Sequence, residues 1–330
     1  MGLKDIHDIR PMYLLAFLRC KYGFQELYKS REQTIQFQLT LERVRNIPIF
    51  IPSELLQVKV EQIYMQAYTV TMAAIQAYSE AESVLYQNLN MYEWESNKST
   101  ITIKNFSNLE STKRLDAEYY QPKYDELFDR LKPYKTKRLS EIVSITKSIE
   151  PGSEAYEEEG IPFIRVSNLT KFGITDTDIY LSPQKYKDVI RPQKDTILLS
   201  KDGSVGIAYK VDSDMDIITS GAILHLSLTD QEIMPDYLTL VLNSIIVKMQ
   251  SERDAGGSII QHWKPSEIGN VIIPILEPEA QQEITNKVRD SFRLREESER
   301  LINFAKSAVE IAIEQNEDKA VELLNQSIWQ

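Results

Sequence analysis

Two stretches of this chain, 224 residues apart, carry the same pattern, and a long heptad helix follows each. Pro11-Met12-Tyr13-Leu14-Leu15-Ala16-Phe17-Leu18 matches Pro235-Asp236-Tyr237-Leu238-Thr239-Leu240-Val241-Leu242. Without a gap the same offset (237 − 13) pairs Ile35 with Ile259, Asn46 with Asn270, Ile49 with Ile273, Ile51 with Ile275 and Gln57 with Gln281. A period of domain size signals tandem duplication and not a solenoid. The order is module end, helix, whole module, helix, so the first copy is read as lacking its front.

The helical stretches have a 3–4 rhythm. Between 53 and 90, Val60, Ile63, Ala67, Val70, Ala74, Ala77, Ala81 and Val84 form a seam held for more than three heptads. Half of these residues are Ala, so a partner backbone can come close. Asn88 occupies the next seam position. Between 279 and 325, Ile284, Val288, Ile302, Ala305, Val309 and Ala312 keep a second seam, with Asn316 next and Ser291, Arg295 and Ser298 interrupting. Two amphipathic helices in one chain are best buried against each other, because neither is stable alone in water.

The rest divides accordingly. Residues 1–52 form the module-end remnant, with a helix opening near Asp8-Ile9-Arg10-Pro11, an alternating strand pattern over Ile35–Leu39 and an apolar run at Ile47–Ile51 that Pro48 confines to a sheet edge or a strand end. Residues 91–112 are polar and read as a linker. A whole module over 113–278 opens with a helical pattern from Asp116 to Leu131. Short strand patterns follow at Ile142–Ile145, Phe163–Val166, Thr196–Leu199, Gly206–Tyr209 and Ile223–Leu226, then a helix over Pro235–Met249 and a strand at Val271–Ile273. The alternation predicts an α+β domain, not a regular βαβ array.

Composition narrows the function. Hydrophobic residues make up 42% of the chain, enough for packed cores. The single Cys20 rules out a disulfide framework and fits a reducing, cytoplasmic setting. No stretch nears the ~18 apolar residues of a membrane span. The net charge of −11 argues against a protein that coats DNA regardless of sequence. It leaves room for a specific reader whose partners supply most of the phosphate contacts.

Catalytic signatures are missing. The chain has no phosphate-binding Gly-x-x-x-x-Gly-Lys loop, no Gly-x-Gly-x-x-Gly and no Asn/Asp-Pro-Pro-aromatic run. His7, His225 and His262 lack metal-ligand spacing, so neither a metal nor a cofactor is expected. His225 alternates with leucines and reads as a structural strand residue, and Glu157–Glu159 as a solvated loop. The positive pattern is for base reading, which needs paired donors and acceptors from Arg, Lys, Asn or Gln. Lys201 and Ser204 lie in a Gly-containing loop between strands, for which an ordinary hairpin is the alternative. Arg165, Ser167 and Asn168 end a strand, and Arg253, Ser258, Gln261, His262 and Lys264 lie in a polar, aromatic loop. Solvated loops are the alternatives there. The basic run Arg130–Arg138 offers phosphate contacts or a solvated face.

Leu115–Tyr124, Ile161–Leu169, Asp195–Gly206, Gly257–Ile260, Val271–Pro274 and Glu279–Ile284 together resemble the target recognition domain and following spacer helix of type I restriction–modification specificity subunits. The resemblance covers roughly 113–325 well and 9–90 more weakly. It implies a non-catalytic subunit that reads double-stranded DNA. Its paired helices form an antiparallel coiled coil, and their outward faces dock methyltransferase subunits and, through them, restriction subunits. S-adenosylmethionine and ATP bind on those other subunits. The family pattern is domain, helix, domain, helix, and this sequence departs from it at the front. The remnant is stranded, is completed by a separately encoded fragment or a second copy, or results from gene rearrangement. Two alternatives stand beside the lead reading. One is a decoy that occupies the methyltransferase without productive DNA reading, and the other is a coiled-coil scaffold with no DNA role.

Overall fold

The computed structural model describes residues 9–31, 38–96, 98–99, 101–256 and 261–326. Most of the strand expected from Ile35, the helix opening at Asp8 and the segment Gly257–Ile260 lie outside them. The fold is α+β with two long helices, and the chain divides into two compact units, 1–77 with 290–330, and 78–289.

The first unit is helical. It holds α1 (Pro11–Arg19), α2 (Lys21–Lys29), α3 (Leu41–Arg45), most of α4 (Glu54–Asn88), most of α11 (Pro278–Glu314) and α12 (Glu317–Gln326). Pro11 begins α1, where its missing N–H costs no hydrogen bond. Tyr13, Phe17, Leu56, Val60, Leu301, Val309 and Leu324 share one core. Here α4 and α11 run antiparallel. Ser298 Oγ donates to the Ala67 carbonyl at 2.9 Å, and Ser291 Oγ donates to that of Ala74 at 2.7 Å. Both serines are buried. They therefore belong to the seam that they were expected to interrupt. A hydroxyl satisfied by a partner backbone fits where only Ala lies opposite, and each bond contributes about 1 kcal/mol.

The seam departs from expectation elsewhere. Val70, Ala77, Val84 and Ile302 are only half-buried, while Tyr64, Tyr78 and Leu85 are buried. Asn88 is exposed and turns its amide back to Val84 O, 2.8 Å away. The second helix does not continue to 325. It breaks at Gln315–Asn316, because the Asn316 side chain accepts from Lys319 N at 3.0 Å and so caps α12.

The second unit carries the sheets. The stretch read as linker contains α5 (Phe106–Thr112). The helix expected from Asp116 is a 3₁₀ turn, Ala117–Tyr120, followed by α6 (Pro122–Leu131). Pro122 forces Gln121 into an extended conformation and divides them. Then come β1 (Thr136–Arg138), α7 (Leu139–Ile142), β2 (Val143–Lys147), β3 (Ile161–Ile164), β4 (Leu169–Thr170), β5 (Gly173–Ile174), β6 (Tyr180–Leu181), β7 (Ile197–Ser200), β8 (Ala208–Lys210), β9 (Ile218–Thr219) and β10 (Ile223–Leu228). The strands β2-β10-β7-β8 form an antiparallel sheet whose central strands β7 and β10 are mostly buried, while β2 at one edge is mostly exposed. A second sheet, β6-β3-β9, joins β3 to β9 in parallel, and β4 pairs with β5. The helix expected over Pro235–Met249 splits at Ser244 into α8 (Pro235–Asn243) and α9 (Ile245–Asp254). Finally α10 (Pro265–Gly269) leads to β11 (Ile272–Pro274), which pairs with β1.

The sequence repeat is also a repeat of hydrogen bonds. Tyr13 Oη donates to Phe50 O at 2.7 Å, and Tyr237 Oη donates to Pro274 O at 2.7 Å. The Gln57 amide accepts from Arg10 N at 3.0 Å and donates to Pro52 O at 3.1 Å. The Gln281 amide accepts from Met234 N at 3.1 Å and donates to Leu276 O at 2.9 Å. Every partner is displaced by the same 224 residues. In each copy a buried tyrosine thus ties its short helix to the segment that precedes the long helix, and a buried glutamine in the first turn of the long helix bonds back to that module end. The helix break at Ser244 recurs at Cys20 with nearly the same backbone angles.

Replacing Ala74 with Leu forces a branched side chain into the place where Ser291 meets the backbone. It should lower stability by about 1–3 kcal/mol, read as a fall in urea midpoint with unchanged slope. His225, on β10, is buried and bonded through Nε2 to Thr219 Oγ1 at 2.8 Å, as its strand-face reading anticipates. Burial pushes its pKa down to about 4. The folded state then binds fewer protons than the unfolded one, whose histidine titrates near 6.5. Stability contributed by the neutral ring is complete above that value and is lost as pH falls from about 6.5 towards 4, by at most about 3 kcal/mol. His225→Asn should remove this part of the slope in urea midpoints taken across that range.

Candidate nucleic-acid interface

The loop after β7 is built by Ser200. Its buried hydroxyl donates to Ser204 O at 2.6 Å and accepts from Ile207 N at 2.9 Å. Gly203 and Gly206 take φ values of +71° and +86°, the left-handed region where glycine avoids a Cβ penalty. Ser200 and the two glycines hold Lys201–Val205 as a compact projection. Its edge is then bonded to a second loop. Gly203 N donates to Gln261 O at 2.9 Å, and Trp263 N to Lys201 O at 2.8 Å. His262 in turn exchanges backbone bonds with Gly256.

Trp263 anchors that second loop, being 1% exposed. Gln261, His262 and Lys264 around it are exposed. The tertiary structure therefore gathers Lys201, Ser204, Gln261, His262 and Lys264 from two separate sequence segments. Lys201 is not a free cation. Its ammonium lies on the Asp202 carboxylate, whose other oxygen is 2.9 Å from His262 Nδ1. Desolvation raises the Asp202 pKa, but the bonds from Lys201 and His262 outweigh it and hold the carboxyl below the usual range.

Arg253 is also engaged. It makes two bonds to Asp254, at 2.7 and 3.1 Å, and its guanidinium lies over the Phe128 and Tyr119 rings. Beside it opens a cleft of about 690 Å³, lined by Arg114, Gln121, Lys123, Glu252, Arg253, Gln261 and Lys264 among others. Arg114 was missed by sequence reading. It grips Asp116 at 2.6 and 2.7 Å and donates to Asp254 O at 3.1 Å. Only its place beside the Leu115–Tyr124 stretch pointed to it. Lys123 pairs with Glu252 at 3.3 Å and Lys264 with Glu267 at 3.4 Å, so cation and acid alternate along the wall. The amide of Gln261 has no hydrogen-bond partner among the described residues.

Arg165, Ser167 and Asn168 belong elsewhere. Among the described residues no hydrogen bond or ion pair joins them to the two loops. Arg165 and Ser167 are exposed, but Asn168 is buried. Its side chain accepts from Arg165 N at 3.1 Å and donates to Asp176 O at 2.9 Å, holding the turn after β3. Ser258 lies outside the described residues. The basic run at 130–138 is largely paired internally: Arg130 with Glu126, Lys132 with Asp129, Lys135 with Glu232, and Lys137 with Asp230 and Glu232. Among the described residues no group of three His, Cys, Asp or Glu side chains could hold a metal ion. No described helix is long and apolar enough to cross a membrane.

Comparison with known families matches residues 132–303, more than half of the 330-residue chain, to the type I restriction modification DNA specificity domain. Among solved structures, the S subunit of a type I restriction-modification system from M. genitalium aligns over 98% of this chain and 74% of its own, at 14% identity and a TM-score of 0.42. The HsdS subunit from Thermoanaerobacter tengcongensis aligns over 93% and 71%, at 16% identity and a TM-score of 0.38. Scores this low add no weight to the family match. No curated protein matches the chain.

Asp202→Asn would leave Lys201, whose side chain is 13% exposed, without its counter-charge. The expected cost is about 1–3 kcal/mol, measured as a lower urea midpoint. An unchanged midpoint would show that the Lys201–Asp202–His262 group does not hold the two loops together.

Proposed function

The chain belongs to the type I restriction–modification DNA specificity family, and from that membership we propose how it reads its target. Residues 113–278 act as one complete target recognition domain. Residues 1–52 are the end of another, and 53–90 and 279–325 are spacer helices, with 91–112 as connector. The chain catalyses nothing itself. It directs methyltransferase subunits, and through them restriction subunits, to a DNA site. Because the family match spans the module and not the helices alone, a scaffold with no DNA role is disfavoured.

One observation carries the assignment of readers: exposed Gln261, His262 and Lys264 set around a buried Trp263, on a loop bonded to Lys201–Gly203. Gln261 is the best base reader, since a free amide offers the donor–acceptor pair that adenine presents in the major groove. Lys264, Ser204, Arg165 and Ser167 serve as phosphate or groove contacts. Lys201, Arg253 and Asn168 position the loops, and a phosphate would have to displace Asp202 to engage Lys201. With a net charge of −11 and most of the cleft's cations paired to acids, the methyltransferase subunits provide much of the phosphate neutralisation.

Those subunits dock on the outer face of α4. Met65, Tyr68, Met72 and Ile75 are each 45–57% exposed at steps of three and four residues. That is an apolar helix stripe of the kind that marks an interface.

The test is DNA shift by the co-purified complex on a randomised duplex library. Gln261→Ala should cost about 1–3 kcal/mol and relax preference at one A·T pair. Lys264→Ala should weaken all sequences alike and lower the salt slope by about one. An assembled complex with no sequence preference would refute the reading.

A further inference from the structure

Among the described residues the module end over 38–52 has an edge with no strand partner, and its copy in 113–278 displays what closes such an edge. In the complete module, β11 is covered by β1. Ile275 N donates to Lys135 O at 2.8 Å, and Leu139 N donates to Val271 O at 2.9 Å. Lys137 faces Ile273 between them, and the alternation of an antiparallel pair makes that facing pair hydrogen-bonded too. The residues displaced by 224 are Ile47, Ile49 and Ile51. Among the described residues no strand pairs with this segment. The burial differs accordingly: Ile275 is 7% exposed, and Ile51 is 56% exposed.

The proline within the segment leaves that edge usable. Pro48 stands where the complete module has Ile272, whose N–H and carbonyl turn inward to the Gln250 amide, at 2.8 and 2.9 Å. The missing N–H of Pro48 therefore belongs to the inner side. Ile49 and Ile51 keep their N–H groups, and Ile47 its carbonyl, on the outer side. The Tyr13 and Gln57 bonds fix the segment in the geometry that their counterparts impose on β11. The segment is thus held at Phe50 and Pro52 as β11 and its exit are held at Pro274 and Leu276.

We infer that Ile47–Ile51 is a strand-addition site that takes an extended segment of the Lys135–Leu139 kind, such as the front part of a recognition module carries. The occupant's class rests on the family reading above. The pairing itself rests on the two copies of the module end, and the register follows from them: the incoming counterparts of Leu139, Lys137 and Lys135 face Ile47, Ile49 and Ile51. Main-chain bonds supply affinity in such augmentation.

Amide hydrogen exchange, read residue by residue on the full chain, tests this without DNA, so failure here leaves the DNA reading standing. The probe is a synthetic peptide with the sequence of residues 133–146. In the chain alone, Ile49 and Ile51 should exchange at least about 100-fold faster than Ile273 and Ile275, because their N–H groups have no ladder partner among the described residues. Millimolar peptide should slow Ile49 and Ile51 at least about tenfold. Peptide N-methylated at the Lys137 position should have no effect, whereas N-methylation at the Thr136 position, whose N–H points away, should be harmless. The inference is overturned if Ile49 and Ile51 are already protected in the chain alone, including protection that grows with protein concentration and so marks a second copy. It is equally overturned if the peptide changes nothing or if the two methylated peptides act alike.

Discussion

The fold depends on how closely two helices can approach. Ala67 and Ala74 remove every side-chain atom beyond Cβ at the contact, and Ser291 and Ser298 then reach the carbonyls behind them. Larger residues would hold the backbones apart, and a smaller one in place of serine would leave the gap unbonded. This contact buries small polar groups at little cost, because each hydroxyl gains a partner as it leaves water. The helices that it joins also carry Gln57 and Gln281, whose amides bond the segment that leads into each helix.

Much of this was legible in the sequence. Helical spacing exposes a seam because apolar burial is periodic, and the offset of 224 residues identifies the duplication because the fastening residues, Tyr13 and Gln57 against Tyr237 and Gln281, are among those retained. What stayed hidden were bonds formed between distant segments. Ser291 and Ser298 look like defects on one helix and become contacts only when the other is present. Asn88 and Asn316 look like register-setting seam residues, yet one bonds its own helix and the other starts a new one. The breaks before Pro122 and at Ser244 follow from backbone conformation that periodicity does not report.

The candidate interface follows the same rule. Residue type correctly marked Gln261, His262 and Lys264 as exposed polar groups, and Trp263 explains why, since its burial turns its neighbours outward. Residue type did not reveal that Lys201 and Arg253 already have carboxylate partners, or that the Asn168 amide is used inside a turn. Charge pairing depends on tertiary neighbours. The two module copies also differ where charge is concerned. The buried Asp236 accepts from Lys210 and Arg289, and the residues at the matching positions of the first copy are Met12 and Met65. The ion pair has been exchanged for apolar side chains as a set, with the fastening bonds retained.

The small residues of the two helices recur every seven positions, at Ala67, Ala74 and Ala81 on one and at Ser291, Ser298, Ala305 and Ala312 on the other. A slide by one heptad would set Ser298 against Ala74 and Ser291 against Ala81, the same residue types at both serine–carbonyl contacts. Those two contacts are like ratchet teeth of one shape, and they do not choose between themselves. The choice falls to the Thr71–Ser298 hydroxyl contact at 2.7 Å, where a slide would bring Tyr78, and to the unrepeated end. There Glu317 receives the Ser53 N–H at 3.0 Å, and Lys59 reaches Asn325 at 2.7 Å. The short helix after the Asn316 break is the pawl.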